Sequence, residues 1–274
     1  MIILSLGIAF LSFILVKTTF TSAFSPKSLH SIYIKIFTNY LQLVFIVIQL
    51  DLEWPPYVIE FFNIQRTTAS LSDHLFSIDC YIAIKSLGDI QNVYYTKLVM
   101  IAALPILISV ISYFYWIFRG SLAESYNFLK REVFTTIIVL FFLVYPTIVK
   151  FMFSNFSCVK IDKMSSYLNE NSFIECWSLN HKKFSFIVVV PSIILWVIGV
   201  PTILLLIMTK NKRRLHLDFY RVVFGFLYNG YRQDKYYWEI IIMYRKIILI
   251  TITVSEMFQA RVVQALNFII VMLA

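Results

Sequence analysis

Three charged residues stand inside an apolar run near the end of this chain: Glu239, Arg245 and Lys246, in WEIIIMYRKIILITITV at 238–254. An ionised side chain in hydrocarbon costs free energy unless it reaches the interface or finds a partner. The chemistry open to this intramembrane charge cluster is therefore ion pairing that ties helices together. Glu239 and Lys246 are seven apart, two helical turns on one face, with Met243 between them. That spacing fits a Glu-to-Lys pair bridged through a neighbouring helix or water. The plainer alternative has Arg245 and Lys246 reaching back to the interface while Glu239 lies in it. Just upstream, Tyr236, Tyr237 and Trp238 form an aromatic group of the kind that sits at headgroup level.

Other reactive side chains do not gather. His30, His74, His181 and His216 lie on separate connections, and each reads as a plain interfacial residue. No Walker, zincin or serine-nucleophile motif occurs, so no enzyme, catalytic residue, cofactor or metal is expected. Cys158 and Cys176 close a loop for which the chain-entropy model gives about 3 kcal/mol, and a disulfide is the expected state. The alternative is two free thiols; zinc is disfavoured because only His181 lies nearby. Cys80 is left to stay free, pair outside the chain or displace one loop partner. Asn155-Phe156-Ser157 is a formal glycosylation sequon, too close to a membrane end to be expected in use.

The elements that must position these residues follow from composition. Hydrophobic residues make up 59% of the 274, aromatic residues 18% and charged residues 14%, against about 25% charged in soluble domains. The expected fold is an all-α integral membrane protein, a polytopic bundle of six to seven transmembrane helices in one domain. Expected spans are 2–22, 33–50, 98–118, 133–153, 184–208, 238–254 and 262–274, the last short of the roughly 20 residues a crossing needs. Ile2 to Val16 also admits a signal-peptide reading, with Thr21-Ser22-Ala23 as a weak cleavage site, though it lacks the preceding positive charge. The paired Pro55 and Pro56 close the second span, and Tyr57 to Ile64 is too short to cross. Leu215 to Tyr228 reads as a helix lying on the cytoplasmic leaflet or against the bundle, ended by Asn229-Gly230.

The net charge of +9 is not a nucleic-acid signature, because the cations flank apolar spans. Arg119, Lys130 and Arg131 mark one connection. Lys210, Lys212, Arg213, Arg214, Arg221, Arg232 and Lys235 mark the segment 209–237. Both are expected in the cytoplasm by the positive-inside rule. The loops 51–96 and 154–182 then face outward with all three cysteines, and the N-terminus is outside. Expected partners are the lipid bilayer and, as an open alternative, further copies of the chain; no nucleic acid or small-molecule ligand is identifiable. The location is an integral membrane, at the cell surface or an endomembrane.

Beyond these readings, LDLEWPPYVIEFF, SIDC, NVYYTKLVMIAALPILI, FSCVKID with YLNE and IECW, and FGFLYNGYRQDKYYWEIIIMYRK occur in this order. Together they resemble the TRP-like C-terminal membrane region of large protist surface proteins of the ciliate type, which carry cysteine-rich ephrin-receptor-like ectodomains. The resemblance runs from about residue 33 onward and is most specific in the WE/RK stretch. It implies a multi-pass surface protein with a channel or sensory role; where this chain departs from the group, in lacking the ectodomain and the further helices, the expectation is a partial gene product or a degenerate paralogue. Ser255 to Arg261 is too short for the pore loop such a channel needs. Two alternatives stay open. One is a seven-helix receptor-like protein, although Phe118-Arg119-Gly120 replaces Asp-Arg-Tyr and no Asn-Pro-x-x-Tyr occurs. The other is a non-conducting anchor for an ectodomain.

Overall fold

The computed structural model describes chiefly residues 29–48, 90–120, 126–160 and 165–254. Most of the expected spans 2–22 and 262–274, most of loop 51–96 and Cys80 fall outside the described residues. Among the described residues, six helices carry the fold: α1 (Leu29–Ile48), α2 (Ile90–Gly120), α3 (Tyr126–Ser154), α4 (Leu179–Lys210), α5 (Asp218–Tyr228) and α6 (Trp238–Val254). Between α3 and α4 lie three short strands, β1 (Cys158–Lys160), β2 (Ser166–Leu168) and β3 (Asn171–Glu175).

Among the described residues, three helices are long and apolar enough to cross a membrane: Val93–Phe118, Lys130–Ser154 and Leu179–Lys210. They coincide with the runs expected at 98–118, 133–153 and 184–208. The apolar part of α1, Ile32–Ile48, is shorter, and α6 has 17 residues with three charges among them. The helix that holds the first of these, α2, begins at Ile90, inside the stretch expected as a loop.

Prolines leave their mark on α4. A proline removes one backbone donor and its ring clashes with the carbonyl four residues earlier, which the widened π turn relieves. The chain is π-helical over Ser185–Val189 and Ile193–Gly199, and each stretch runs up to a proline, Pro191 and Pro201. In α2, the Ser109 hydroxyl donates to the Pro105 carbonyl at 2.8 Å, and Pro105 stays within the helix.

The described residues form two compact units. One is built from Met1–Tyr40, Leu104–Tyr145 and Val200–Met243. Its core places Val222 to Leu227, six consecutive residues of α5, in the interior. These six residues pack against protein, as the reading of this segment against the bundle expects, while Asp218 and Phe219 at its start are exposed. Phe226 packs edge-on against Phe142 at 5.1 Å, and the Thr135 hydroxyl donates to the Val222 carbonyl at 3.1 Å. Trp116 Nε1 donates to Thr136 at 2.9 Å. Asp218 in the first turn of α5 complements the helix dipole, and Gly230, at φ 92°, supplies the left-handed turn after it.

The other unit comprises Leu41–Ala103, Pro146–Gly199 and Tyr244–Ala274. Its antiparallel sheet, in the order β1-β2-β3, pairs Cys158 with Leu168 and Tyr167 with Glu175. A disulfide joins Cys158 to Cys176. Leu168 and Ile174 are buried. Lys150 lies over the rings of Phe45 and Phe151 at 5.2 and 5.7 Å.

Candidate functional site

The carboxylate of Glu239 is the centre of a buried polar node in the first unit. It sits in the first turn of α6, where the helix dipole favours a negative charge. Three donors converge on it: Asn39 Nδ2 on Oε1 at 2.9 Å, Tyr231 Oη on Oε2 at 2.9 Å, and Lys35 Nζ at 3.4 Å from Oε2. Lys35 also donates to the Asn229 carbonyl at 2.8 Å and lies 4.4 Å from the centre of the Tyr231 ring. Glu239 is fully buried and Lys35 is 3% exposed. Pairing therefore replaces the hydration that both charges give up.

Local sequence explains the convergence. Lys35 and Asn39 are one turn apart on α1 and share a face. The turn after α5 brings the Asn229 carbonyl and the Tyr231 ring to the same place. Asn229 is itself held by its N–H on the Gly225 carbonyl at 2.8 Å. A Cβ at Gly225 would come within 3.1 Å of the Asn229 side-chain nitrogen, so the missing side chain leaves room for it. Burial, followed by the Glu239 charge and hydrogen bond, pushes the Tyr231 phenol well above its ordinary range and keeps it a donor.

In the second unit, Lys246 is also buried, 1% exposed, and donates to Gln42 Oε1. Glu239 has Lys35 within ion-pair distance, and Lys246 is buried with Gln42 as a partner. Arg245 is half-buried and enters neither set of contacts. Of the three aromatics read as interfacial, Tyr236 is buried, Tyr237 half-buried and Trp238 exposed. The Tyr236 ring lies 5.5 Å from Lys212 Nζ.

His181 is the residue the sequence reading missed. It is fully buried, not interfacial. Its Nδ1 accepts from the Trp177 N–H at 3.2 Å, while Nε2 lies 3.1 Å from the Asn155 carbonyl. Asn155 is fully buried too, and its Nδ2 donates to Ser185 Oγ at 2.7 Å. That makes the sequon asparagine a packing residue of the folded chain. Among the described residues, no group of three or more His, Cys, Asp or Glu side chains is placed to hold a metal.

No protein-family model matches this chain, and no solved structure matches it. It is similar to cysteine repeat modular protein A of Toxoplasma gondii, with 24% identity over 300 residues. The alignment takes in 85% of this chain and 10% of the relative, so the chain spans about a tenth of that protein's length.

Proposed function

We propose that the chain is the multi-pass membrane module of a larger surface protein, and that it acts as a TRP-like sensory or channel module. In this reading the basic aromatic segment 209–237 lies in the cytoplasm and passes its position to the membrane helices through the Glu239 node. The observation that carries the reading is the set of bonds at Glu239 and Lys35. One carboxylate on α6 and one ammonium on α1 are both bonded to the turn after α5, at Tyr231 and at the Asn229 carbonyl. A displacement of that turn breaks contacts to two helices at once, which is the property a coupling element needs.

The coverage of only a tenth of a modular relative favours a second reading, a non-conducting anchor for an ectodomain. Whole-cell voltage clamp separates the two. Cells carrying the full-length protein should pass a stimulus-dependent current, and Glu239→Gln should reduce it at equal surface density. Full surface delivery without current in either form would refute the channel activity and leave the anchor.

A further inference from the structure

Trp177 has φ 63°, the one positive value among the described non-glycine residues. Left-handed backbone under a bulky side chain costs about 1–3 kcal/mol and persists where its surroundings over-determine it. Here they do so from both sides. Before it, Cys176 is bonded to Cys158, and its N–H donates to the Ser166 carbonyl at 2.8 Å. After it, Ser178 caps α4, its hydroxyl accepting from the His181 N–H at 3.4 Å. The Trp177 N–H itself donates to His181 Nδ1, and the two rings meet edge to face at 6.0 Å. With Nδ1 accepting, the ring proton belongs on Nε2, facing the Asn155 carbonyl. Both nitrogens are used in a single neutral tautomer.

The outcome of this arrangement is an indole that stays 48% exposed, beside Leu179 at 69%. Lys182 and Lys183 are exposed on the following turn. The uninterrupted apolar run of α4 begins at Phe184. At about 1.5 Å per residue, Leu179 stands roughly 8 Å beyond that point. A headgroup layer adds about 5–8 Å outside the hydrocarbon on each side. Farther along α4, past Lys182 and Lys183, Phe186 and Ile187 are exposed as well. We propose that Trp177 and Leu179 form a headgroup-level anchor. The indole and the leucine lie among phospholipid glycerol and carbonyl groups, and Lys182 and Lys183 meet the phosphates. Lipid is the occupant because the patch stands at the start of a helix long and apolar enough to cross a bilayer and carries cations that complement phosphate. The disulfide and His181 are positioning groups that hold the indole at this level. The inference rests on α4 crossing the membrane.

The test uses the full chain labelled with 5-fluorotryptophan, in nanodiscs of phosphatidylcholine and phosphatidylglycerol. Trp177→Phe and Trp196→Phe assign the two fluorine resonances. A headgroup nitroxide lipid should abolish the Trp177 signal and spare Trp196, in the middle of α4; a nitroxide at the acyl-chain end should do the reverse. His181→Leu should shift the Trp177 resonance and weaken its response to the headgroup label. His181→Gln, whose amide oxygen can accept the Trp177 N–H, should restore it. A Trp177 signal sensitive only to a water-soluble gadolinium chelate, only to the chain-end label, or to no label overturns the anchor. If Trp196 still responds to the chain-end label in those cases, the membrane crossing stands without it. A Trp196 signal that ignores both lipid labels overturns both.

Discussion

Replacing Lys35 by Met keeps the length of the stem and removes the ammonium from the Glu239 node. Glu239 then stays buried with two neutral donors, Asn39 and Tyr231, each at 2.9 Å. Removing one partner of a buried ion pair costs about 3–5 kcal/mol. Two surviving bonds to the carboxylate offset part of that loss, so about 3 kcal/mol is expected. Glu239→Gln keeps the side-chain shape but leaves Lys35 on the Asn229 carbonyl and the Tyr231 face, again at about 3 kcal/mol. The double variant contains no unpaired charge. It should cost about 3–4 kcal/mol rather than the sum of about 6, a coupling of about 2–3 kcal/mol. Reversible unfolding in mixed micelles, followed by tryptophan fluorescence, measures all three variants. A coupling below about 0.5 kcal/mol would mean that the two charges do not depend on each other, and would refute the reasoning.

Three further outcomes follow from single contacts. Burial pushes the Tyr228 phenol up to about 12 from 10.0, with Arg221 opposing, and its hydroxyl donates to the Leu215 carbonyl at 2.7 Å. The unfolded phenol ionises first on raising the pH. Stability should therefore be flat below about pH 10 and fall from there through about pH 12, and Tyr228→Phe should flatten that fall in an alkaline denaturation series. Reducing Cys158–Cys176, or replacing both residues by alanine, should cost about 3 kcal/mol, read as a lower unfolding midpoint; an unchanged midpoint would show that the hairpin holds without the bond. Gly199→Ala places a Cβ 2.8 Å from the Ile194 carbonyl oxygen, a backbone atom with little room to give. It should cost about 1–3 kcal/mol by thermal unfolding, and a neutral result would mean that the π turn relaxes freely.

What could be read in advance tracks the range of the interactions involved. The three helices long enough to cross a membrane were legible because a run of apolar residues is a local signal that needs no partner. The strands around Cys158 to Glu175 were not: each has three to five residues, and a polar loop with two cysteines gives no alternation to read. The π turns of α4 follow from Pro191 and Pro201, but a proline in an apolar run fixes the disturbance without its form. Lys35 stands as a single lysine in an apolar stretch, and its partner is 204 positions away. One signal was present: Lys35, Asn39 and Gln42 recur at helical spacing as a polar stripe on α1, and Glu239 and Lys246 share a face of α6. Matching such stripes between helices would have given Glu239 a partner other than Lys246. His181 left no comparable trace, since its burial depends on Trp177 and Asn155, which the fold brings together through the hairpin.

The Glu239 node depends most directly on the bond between the turn after α5 and the start of α6. Hydrogen exchange on the full chain in nanodiscs, comparing the native protein with Lys35→Met, measures that bond without presuming an activity. Protection should fall together at Asn229 to Tyr231 and in the first turn of α6, while β1 to β3 keep theirs. Unchanged exchange at the turn, or a loss confined to α1, would contradict the claim that the Glu239 node couples them.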